Sequence, residues 1–462
     1  QLINRKTVEM LISSDSVKKL AEYVENRDEV FCSGLFLSAR WMVVSQLDVL
    51  GIQLIVLPDR DSAEYCAADL YHLIEGDRVY FLPDSGKNLE RSNYKSSLGV
   101  QRTSAIGKIL EYREGEQMIV VTYPSALEEI IPEKGKISGS LLKLVVGEER
   151  SYEEIKEILF SSGFERVDFV SEPGQFAVRG ALIDIFSYSF NNPFRISFFG
   201  DEIESINIFD ANTQLSKEKV DYVDIYPDLS SSEDGEGSMV TDILPEDTLV
   251  WLDSSDMYKD KSFFPELKKF RNIYMELPLS RQDEDAVRFN ISPQPVFSKN
   301  FELLTEDIRN KIENGFRVRI YGEKQSQLER LKSILSQNGG IFPEFVSGSN
   351  IHNGFIDNDN KVCCYSDHEI FDRFHRVSIR RTVEKSEQLT INDLTSFAIG
   401  DYIVHIDHGV GVFGGLVRMK DDKGRMHEVV KLTYKDNDVV FVSVHALHKI
   451  SRYKSKDAEP PK

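Results

Sequence analysis

Residues 172–210, EPGQFAVRGALIDIFSYSFNNPFRISFFGDEIESINIFD, carry the pattern of an antiparallel sheet built from hairpins. In the central strand, a period of two puts alternate side chains on opposite faces. One face would carry Phe194, Ile196 and Phe198, and the other Arg195, Ser197 and Phe199. Gly200-Asp201 predicts a two-residue turn into the next strand, Glu202–Ile208, which fixes the register of the hairpin. The first face is typical of a core.

The second face combines an arginine with an aromatic side chain where solvent is expected. Arginine and aromatic residues are enriched at the energetically dominant positions of protein interfaces. An earlier strand, Gln175–Val178, leads to Arg179, which falls outside the face that carries Phe176 and Val178. The stretch therefore predicts a docking surface for another protein. The alternative is an ordinary sheet with an edge arginine and one half-buried phenylalanine.

The whole chain has the composition of a soluble globular protein. Its 462 residues are too many for one hydrophobic core, and domain-size statistics predict roughly three or four domains. A formal net charge of −20 argues against a chain that mainly binds nucleic acid without specificity, because such binding depends on neutralised phosphates. Other proteins, contacted through locally basic patches, are the expected partners.

Cysteine usage and hydropathy indicate the compartment. The four cysteines, Cys32, Cys66, Cys363 and Cys364, lack the CxxC spacing of a zinc site and give no sign of a disulfide framework. No apolar run approaches the roughly 20 residues that span a bilayer, and no signal sequence opens the chain. We expect a cytoplasmic monomer with no membrane contact. The first residue, Gln1, and the linker-like ending DAEPPK suggest a piece of a longer protein.

Apolar runs alternate with helix-length segments over residues 1–138. The runs are Val30–Cys32, Gln53–Leu57, Val79–Leu82 and Met118–Thr122. This alternation predicts a parallel α/β sheet. Residues 139–225 contain amphipathic, hairpin-linked strands and one helix at Tyr152–Ser162, which indicates an α+β insert. Residues 226–285 include another apolar strand, Thr248–Leu252, which would rejoin and complete the first sheet.

Two smaller modules follow. Phe316–Tyr321 and the helical segment Lys324–Gln337 indicate a small α/β domain at residues 298–385, whose role the sequence leaves open. Residues 396–455 consist of short strands, which predicts an SH3-like β-barrel, and 456–462 have the composition of a linker. The predicted fold class is a multi-domain combination of α/β and α+β domains.

A nucleotide hydrolase needs a loop of backbone N–H groups around the phosphates, with a lysine and a hydroxyl for phosphate and Mg²⁺. The corresponding position after the first strand, Ser33–Arg40, contains no lysine and no GK[ST] motif. The segment Ser85-Gly86-Lys87-Asn88 lacks the upstream glycine and the hydroxyl after lysine. Leu249–Leu252 is followed by Asp253-Ser254, where a metal-holding site would have Asp-Glu. These residues indicate an ATPase-type sheet without its catalytic groups, so we expect no catalytic residue and no cofactor.

Histidines in the terminal module could suggest a zinc site. They are His405, His408, His427, His445 and His448, and they include two HxxH spacings. On a strand this spacing places the two rings on opposite faces, and no cysteine or ordered set of carboxylates accompanies them. We therefore expect ordinary strand-end and turn histidines and no metal site.

Two sets of segments give the chain a resemblance to the bacterial transcription-repair coupling factors, the Mfd family. GDYIVHIDHGVGVFGGL (residues 400–416) and LTYKDNDVVFVSVHALHKISRY (residues 432–453) are similar to that family's RNA polymerase interacting domain, which CarD-type regulators share. GQFAVRGALIDIF, FRISFFGDEIESINIFD and LPEDTLVWLD are similar to its region of homology with the repair protein UvrB. The resemblance implies a degenerate RecA-like and UvrB-like sheet domain, an intervening small domain and a CarD-like, Tudor-like barrel.

The resemblance also implies partners and contact residues. UvrB would have an intact Walker loop where this chain has Ser33–Arg40. UvrB would also have a tyrosine-rich hairpin that probes damage, whereas the corresponding segment of this chain, Phe81–Leu98, is short and polar. The match is therefore to the family's degenerate module, which binds UvrA without hydrolysing ATP. The family's UvrA-contacting residues correspond by motif to Arg179, Arg195 and Phe199.

The terminal barrel corresponds to the contact with the β subunit of RNA polymerase. In the family this contact runs through an exposed edge strand, which corresponds to Gly415–Met419, with Leu416 and Met419 as the apolar candidates. Strand addition at such an edge would supply backbone hydrogen bonds.

The resemblance places the family's motor, two RecA-like domains that use ATP and Mg²⁺, beyond residue 462. We therefore expect contact with DNA mainly through that motor and no ATPase activity in this chain. The expected function is an adaptor that recruits UvrA to stalled RNA polymerase. Two other functions stay open: a RecA-class nucleotide hydrolase, and a CarD-like transcription regulator fused to a decayed repair module, which would bind polymerase and ignore UvrA.

Overall fold

A computed structural model gives the fold of most of the chain. It describes residues 15–47, 49–74, 76–86, 92–133, 135, 137, 141–190, 192–211, 214–230, 232, 237–277, 285–337, 343–348, 351–372, 399–405, 409–420, 426–434, 439–443 and 450–452. These residues belong to two compact units, and the C-terminal sheet lies in the second. None of the helices in this part of the chain combines the length and apolar composition needed to cross a bilayer.

The first sheet is parallel and has seven strands. Its strands are β1 (Glu29–Ser33), β2 (Gly51–Val56), β3 (Val79–Phe81), β4 (Gln117–Thr122), β13 (Leu249–Leu252), β14 (Arg271–Tyr274) and β15 (Val287–Arg288), in the spatial order β15-β1-β14-β13-β2-β4-β3. Every pair of neighbours is parallel. The predicted parallel α/β sheet is confirmed, and β13, which follows the insert in sequence, lies in its centre.

Helices cover this sheet on both faces. They are α1 (Asp15–Asn26), α2 (Ala39–Gln46), α3 (Arg60–Leu73), α4 (Ser92–Glu111), α5 (Pro124–Glu128) and α7 (Phe264–Leu267). Side chains of β2 alternate between two apolar cores, so that Ile55 lies in one core and Leu54 and Val56 lie in the other. A strand buried on both faces is mostly apolar, as parallel sheets require, and the polar side chain of β2, Gln53, accepts from the Trp251 indole N–H at 3.0 Å.

The insert folds around an antiparallel arrangement. Its elements are β5 (Leu142–Val145), α6 (Tyr152–Ser161), β6 (Glu165–Arg166), β7 (Gln175–Arg179), β8 (Leu182–Phe186), β9 (Phe194–Phe199), β10 (Glu202–Phe209), β11 (Ser216–Val220) and β12 (Tyr222–Ile225). Strands β11-β10-β9-β8-β7-β6 form one sheet in that order, and β12 pairs with β5 in another. Ser151 caps α6 by accepting from the Glu154 N–H, and the helix ends before Gly163, whose φ is +81°.

A five-stranded sheet in the order β16-β19-β20-β17-β18 forms the small α/β domain. Its elements are β16 (Ile291–Pro293), α8 (Phe301–Glu313), β17 (Arg317–Gly322), α9 (Gln325–Gln337), β18 (Glu344–Ser347), β19 (Phe355–Asp357), β20 (Val362–Ser366) and α10 (Asp367–Ile370). The sheet begins before residue 298, with β16. Ile351, Phe355 and Cys364 join one apolar core of the first sheet, so the small domain packs directly on that sheet.

The C-terminal module is an antiparallel sheet of five strands. They are β21 (Tyr402–His405), β22 (Gly409–Lys420), β23 (Met426–Thr433), β24 (Val439–Ser443) and β25 (Ile450–Arg452), in the order β24-β23-β22-β21-β25. The predicted fold class is confirmed by this sheet together with the parallel sheet. β22 bends at a bulge between Phe413 and Leu416, where Gly415 adopts a φ of +91° that disfavours side-chain-bearing residues.

Candidate protein-binding sites

The central strand of the insert, β9, alternates as the sequence predicts. Phe194, Ile196 and Phe198 are buried, whereas Arg195, Ser197 and Phe199 are accessible to different degrees. Helix α6 covers the buried face, where the rings of Tyr152 and Phe198 meet edge to face with centroids 5.4 Å apart. A partner protein would therefore approach the other face, which we call the Arg/Phe face.

Hydrogen bonds fix the position of Phe199 relative to Arg179. β8 and β9 are neighbours whose connection is too short for a parallel crossover, so they run antiparallel. The Phe198 N–H donates to the Ala181 carbonyl oxygen (2.9 Å), which sets these residues opposite each other. Arg179 lies opposite Leu182 across the preceding hairpin. Residues that lie opposite each other on antiparallel neighbours share a face, so Leu182 lies on the same face as Phe199. Arg179, opposite Leu182, therefore lies on the Arg/Phe face, at the end that carries Phe199.

Arg179 is held between a carboxylate and an aromatic ring. Its guanidinium forms an ion pair with Asp184, whose side chain is 0% exposed while that of Arg179 is 34% exposed. The Arg179 Cζ also lies 4.9 Å from the centroid of Phe169, a ring that is 42% exposed. These contacts orient the guanidinium while leaving part of it accessible to a partner.

Arg195 lies four residues before Phe199 on the same face of β9. Its Nη1 and Nη2 each donate to Gln214, to the carbonyl oxygen and the side-chain Oε1, at 3.3 Å. Its Cζ lies 4.3 Å from the ring centroid of Phe209, which is fully buried. Arg195 is thus a preorganised, half-buried donor.

Phe199 is the most accessible of the three predicted residues. Its side chain is 78% exposed, and it is the last residue of β9 before the turn. Gly200 in that turn has a φ of +65°, and β10 begins two residues later, so the predicted two-residue turn is confirmed. A phenylalanine ring exposed beside two arginines has the composition found at the energetically dominant positions of protein interfaces.

Asp184 is a part of this face that sequence reasoning missed. It lies opposite Ala177 in the β7–β8 hairpin and is fully buried. A buried carboxylate requires a partner, and Arg179 supplies one. The signal was present in LIDIF, where Asp184 is the one charged residue of an otherwise apolar strand.

The second predicted surface lies on β22. Leu416 is 42% exposed, and Met419 lies opposite His427 of β23; the Met419 side chain is outside the described residues. In the order of strands β22 lies between β23 and β21, but β21 does not reach Gly415–Met419, so the expected edge at this segment stays a prediction. β21 pairs only with residues 409–412, and the later part of β22 pairs with β23 alone among the described strands.

In the described part of the chain this sheet has two edge strands, β25 at one end and β24 at the other. β24 pairs with β23 on one side, and its Val439 and Phe441 are 40% and 46% exposed. An edge strand with exposed apolar side chains can accept a strand from another protein. β24 is therefore a second candidate for the edge that the sequence assigned to β22.

The loop Ser33–Arg40 occupies the position of a nucleotide-binding loop, after β1 and before α2. Arg40 forms an ion pair with Asp253 through Nη1 and Oδ2 at 2.5 Å, so the two charged groups neutralise each other. Ser38 donates to Asp69 (2.6 Å). Burial raises the pKa of the Asp69 carboxyl to about 7, against the opposing effects of hydrogen bonds from Ser38 and His352 and of the Arg40 charge.

The structure describes only some of the other residues that the sequence raised as candidates for nucleotide or metal binding. Ser85 donates through its N–H and Oγ to the Glu129 carboxylate at 2.7 and 2.9 Å. Lys87 and Asn88 of the same segment lie outside the described residues. The histidines His408, His445 and His448 also lie outside them. Within the described residues no group of three or more His, Cys, Asp or Glu side chains could hold a metal ion. All four cysteines are buried as free thiols.

Comparisons with known proteins identify two domains. Residues 142–230 match the model of the UvrB interaction domain, and residues 397–454 match that of the CarD-like/TRCF RID domain. The first contains the Arg/Phe face and the second contains the C-terminal sheet. The two matches include the segments from which the sequence resemblance was inferred, except LPEDTLVWLD (residues 244–253), which lies outside both.

Similarity to complete relatives extends over almost the whole chain. The transcription-repair-coupling factor of Borreliella burgdorferi is 20% identical over 530 aligned residues, which cover 98% of this chain and 46% of that protein. The transcription-repair-coupling factor of Staphylococcus aureus (strain bovine RF122 / ET3-1) is 19% identical over 558, covering 98% and 47%. The chain thus spans about half the length of these relatives. Together with both domain matches, the chain is thus similar to the transcription-repair-coupling factors over almost its whole length.

Proposed function

We propose that this chain is the adaptor part of a transcription-repair coupling factor. One surface, on the UvrB interaction domain, would recruit UvrA, and another, on the CarD-like domain, would bind the β subunit of stalled RNA polymerase. The observation that carries the proposal is the presence of both domains in one chain. Because the two surfaces are in separate domains, one chain could bind both partners at the same time.

The Arg/Phe face supports UvrA binding by its chemistry. It presents two oriented guanidinium groups and a ring that is 78% exposed. Arginine and aromatic anchors of this kind supply most of the binding energy at protein interfaces, and oriented side chains lose little entropy when they bind. We propose Arg179, Arg195 and Phe199 as the contact residues.

We propose that the chain itself neither hydrolyses ATP nor binds a cofactor. The loop Ser33–Arg40 lacks lysine, and its arginine is paired with Asp253. Contact with DNA would come mainly from domains outside this chain. Its partners would place it, as a monomer, in the cytoplasm. The competing RecA-class hydrolase predicts nucleotide turnover by the purified chain, and an ATPase assay separates the two.

The adaptor function predicts a ternary complex. The purified chain is expected to bind purified UvrA and purified RNA polymerase together, and to elute with both in size-exclusion chromatography. Each binary mixture is the control for the corresponding contact. A chain that binds polymerase and leaves UvrA in its own peak would favour a CarD-like regulator, and a chain that binds neither would contradict the adaptor function.

Replacing Met419 with arginine is expected to weaken binding to the polymerase β subunit at least ~10-fold, because a strongly hydrated charge would enter an apolar contact. Binding of labelled β subunit measured by fluorescence anisotropy gives the affinity. Val296→Arg is the matched control, since Val296 is 82% exposed in a different domain. Phe441→Arg tests the alternative edge, β24. If Phe441→Arg loses affinity while Met419→Arg binds as well as the control, the contact lies on β24 and not on β22.

A further inference from the structure

The loop 351–354 of the small α/β domain lies against Ser38 of the loop Ser33–Arg40 and against Asp69 of helix α3, within one compact unit. The His352 N–H donates to the Asp69 carboxylate at 2.8 and 3.1 Å, and the Asn353 N–H donates to the Ser38 Oγ at 3.0 Å. The next N–H, that of Gly354, donates to Glu369 of the small domain itself (2.7 Å). Three successive N–H groups thus each have a side-chain acceptor, and two of these acceptors belong to the first domain.

Side-chain packing strengthens the same contact. The ring of His352 stacks on Tyr65 of α3 with centroids 3.5 Å apart and an interplanar angle of 14°. Ile351 is fully buried in the apolar core that the small domain shares with the first sheet. Aromatic stacking and apolar burial add to the hydrogen bonds, so the loop is held on more than one side.

The loop Ser33–Arg40 is also covered from a second direction, by the chain around Phe289. The Phe289 N–H donates to the Ser33 carbonyl oxygen at 2.8 Å, in continuation of the parallel pairing of β15 with β1. The Phe289 carbonyl oxygen lies 2.1 Å from the position that a Cβ on Gly34 would occupy. The chain that leads into the small domain therefore lies directly on Gly34, the one glycine of the loop Ser33–Arg40.

The polarity of the site is the reverse of that of a phosphate-binding loop. A phosphate loop offers N–H groups to an anion. In this chain the first domain supplies the carboxylate of Asp69 and the oxygen of Ser38, and the N–H groups come from the small domain. The local cation, Arg40, is already paired with Asp253. A nucleotide phosphate would meet a carboxylate acceptor where it needs donors.

We propose that Ser38 of the loop Ser33–Arg40 and Asp69 of helix α3 form a docking site for the backbone N–H groups of Asn353 and His352, and that these hydrogen bonds act with the shared apolar core to hold the small α/β domain on the first sheet. The site takes a segment of its own chain instead of a nucleotide. This assigns a role to the small domain that does not depend on UvrA or on polymerase.

Amide hydrogen exchange read by mass spectrometry tests this docking site. In the wild-type chain the His352 and Asn353 amides are expected to exchange slowly. Asp69→Ala removes the acceptor of His352 and is expected to raise their exchange rates at least ~10-fold while β4 stays protected. If Asp69→Ala fails to fold, Ser38→Ala, which removes the acceptor of Asn353 alone, is expected to accelerate the same segment.

Asp59→Ala is the matched control. Asp59 caps the same helix, α3, by accepting from the Ser62 N–H at 2.8 Å, and it has no contact with loop 351–354 among the hydrogen bonds described. Its replacement destabilises the helix by ~1 kcal/mol without touching the docking site. Equal acceleration of residues 352–353 in Asp59→Ala and Asp69→Ala would overturn the proposal, as would fast exchange of these amides in the wild type.

Discussion

UvrA binding is expected to fall at least ~100-fold when Arg179, Arg195 and Phe199 are all replaced by alanine. The three side chains share one face, and they combine two oriented cations with an aromatic ring. Truncating Phe199 removes the largest exposed apolar area, since its side chain is 78% exposed. Isothermal titration of UvrA with the wild-type and variant chains measures the change.

Folding of the variants has to be separated from binding. Phe199→Ala is expected to leave the melting temperature unchanged because the ring makes little contact with the core. Arg179→Ala differs, since it leaves the fully buried carboxylate of Asp184 without its partner and is expected to lower stability by ~1–3 kcal/mol.

Arg179→Lys and Tyr222→Ala sharpen the test. Lysine keeps the charge beside Asp184 but loses the planar group that lies over Phe169, so it should retain stability and lose UvrA affinity. Tyr222 is 57% exposed on the other sheet of the insert, and its replacement is expected to leave UvrA binding unchanged. Wild-type affinity in Phe199→Ala, or equal losses in Phe199→Ala and Tyr222→Ala, would rule out the Arg/Phe face as the UvrA contact.

The features that could be predicted from the sequence are local in the chain. The alternation of β9 follows from a period of two, and the turn at Gly200 follows from the residue type, because each depends on a few neighbouring residues. The uniformly apolar strand Leu249–Leu252 identified a buried parallel strand for a similar reason.

The features that could not be predicted from the sequence are contacts between distant segments. The pairing of β22 depends on strands from elsewhere in the module: its first residues pair with β21 and its later ones with β23, which its own residues could not show. The contact of His352 with Asp69 joins positions 283 residues apart. Neither residue belongs to a motif, and the N–H that makes the contact is common to nearly all residue types. Only the fold shows that they meet.

Arg102 is another long-range contact of this kind, and replacing it with methionine is expected to lower the free energy of unfolding by ~3–5 kcal/mol. The side chain is 0% exposed in helix α4. Its guanidinium donates to the carbonyl oxygens of Ser230, Pro83 and Ala126, each at 2.8 Å, and of Glu129 at 3.1 Å. Methionine would fill much of the volume and leave three buried carbonyl acceptors and one partly buried acceptor without their donor, which is costlier than the loss of packing.

The position of these acceptors connects Arg102 with the insert. Pro83 follows β3, Ala126 lies in α5, and Ser230 lies where the chain leaves the UvrB interaction domain, so one side chain ties that exit to the parallel sheet.

Urea unfolding followed by circular dichroism measures the loss of stability in Arg102→Met. Arg78→Met is the control, because Arg78 is exposed and donates only to the Gln117 side chain among the hydrogen bonds described, and it should change stability by less than ~0.5 kcal/mol. Equal unfolding midpoints for the two variants would show that the four carbonyl contacts contribute no net stability.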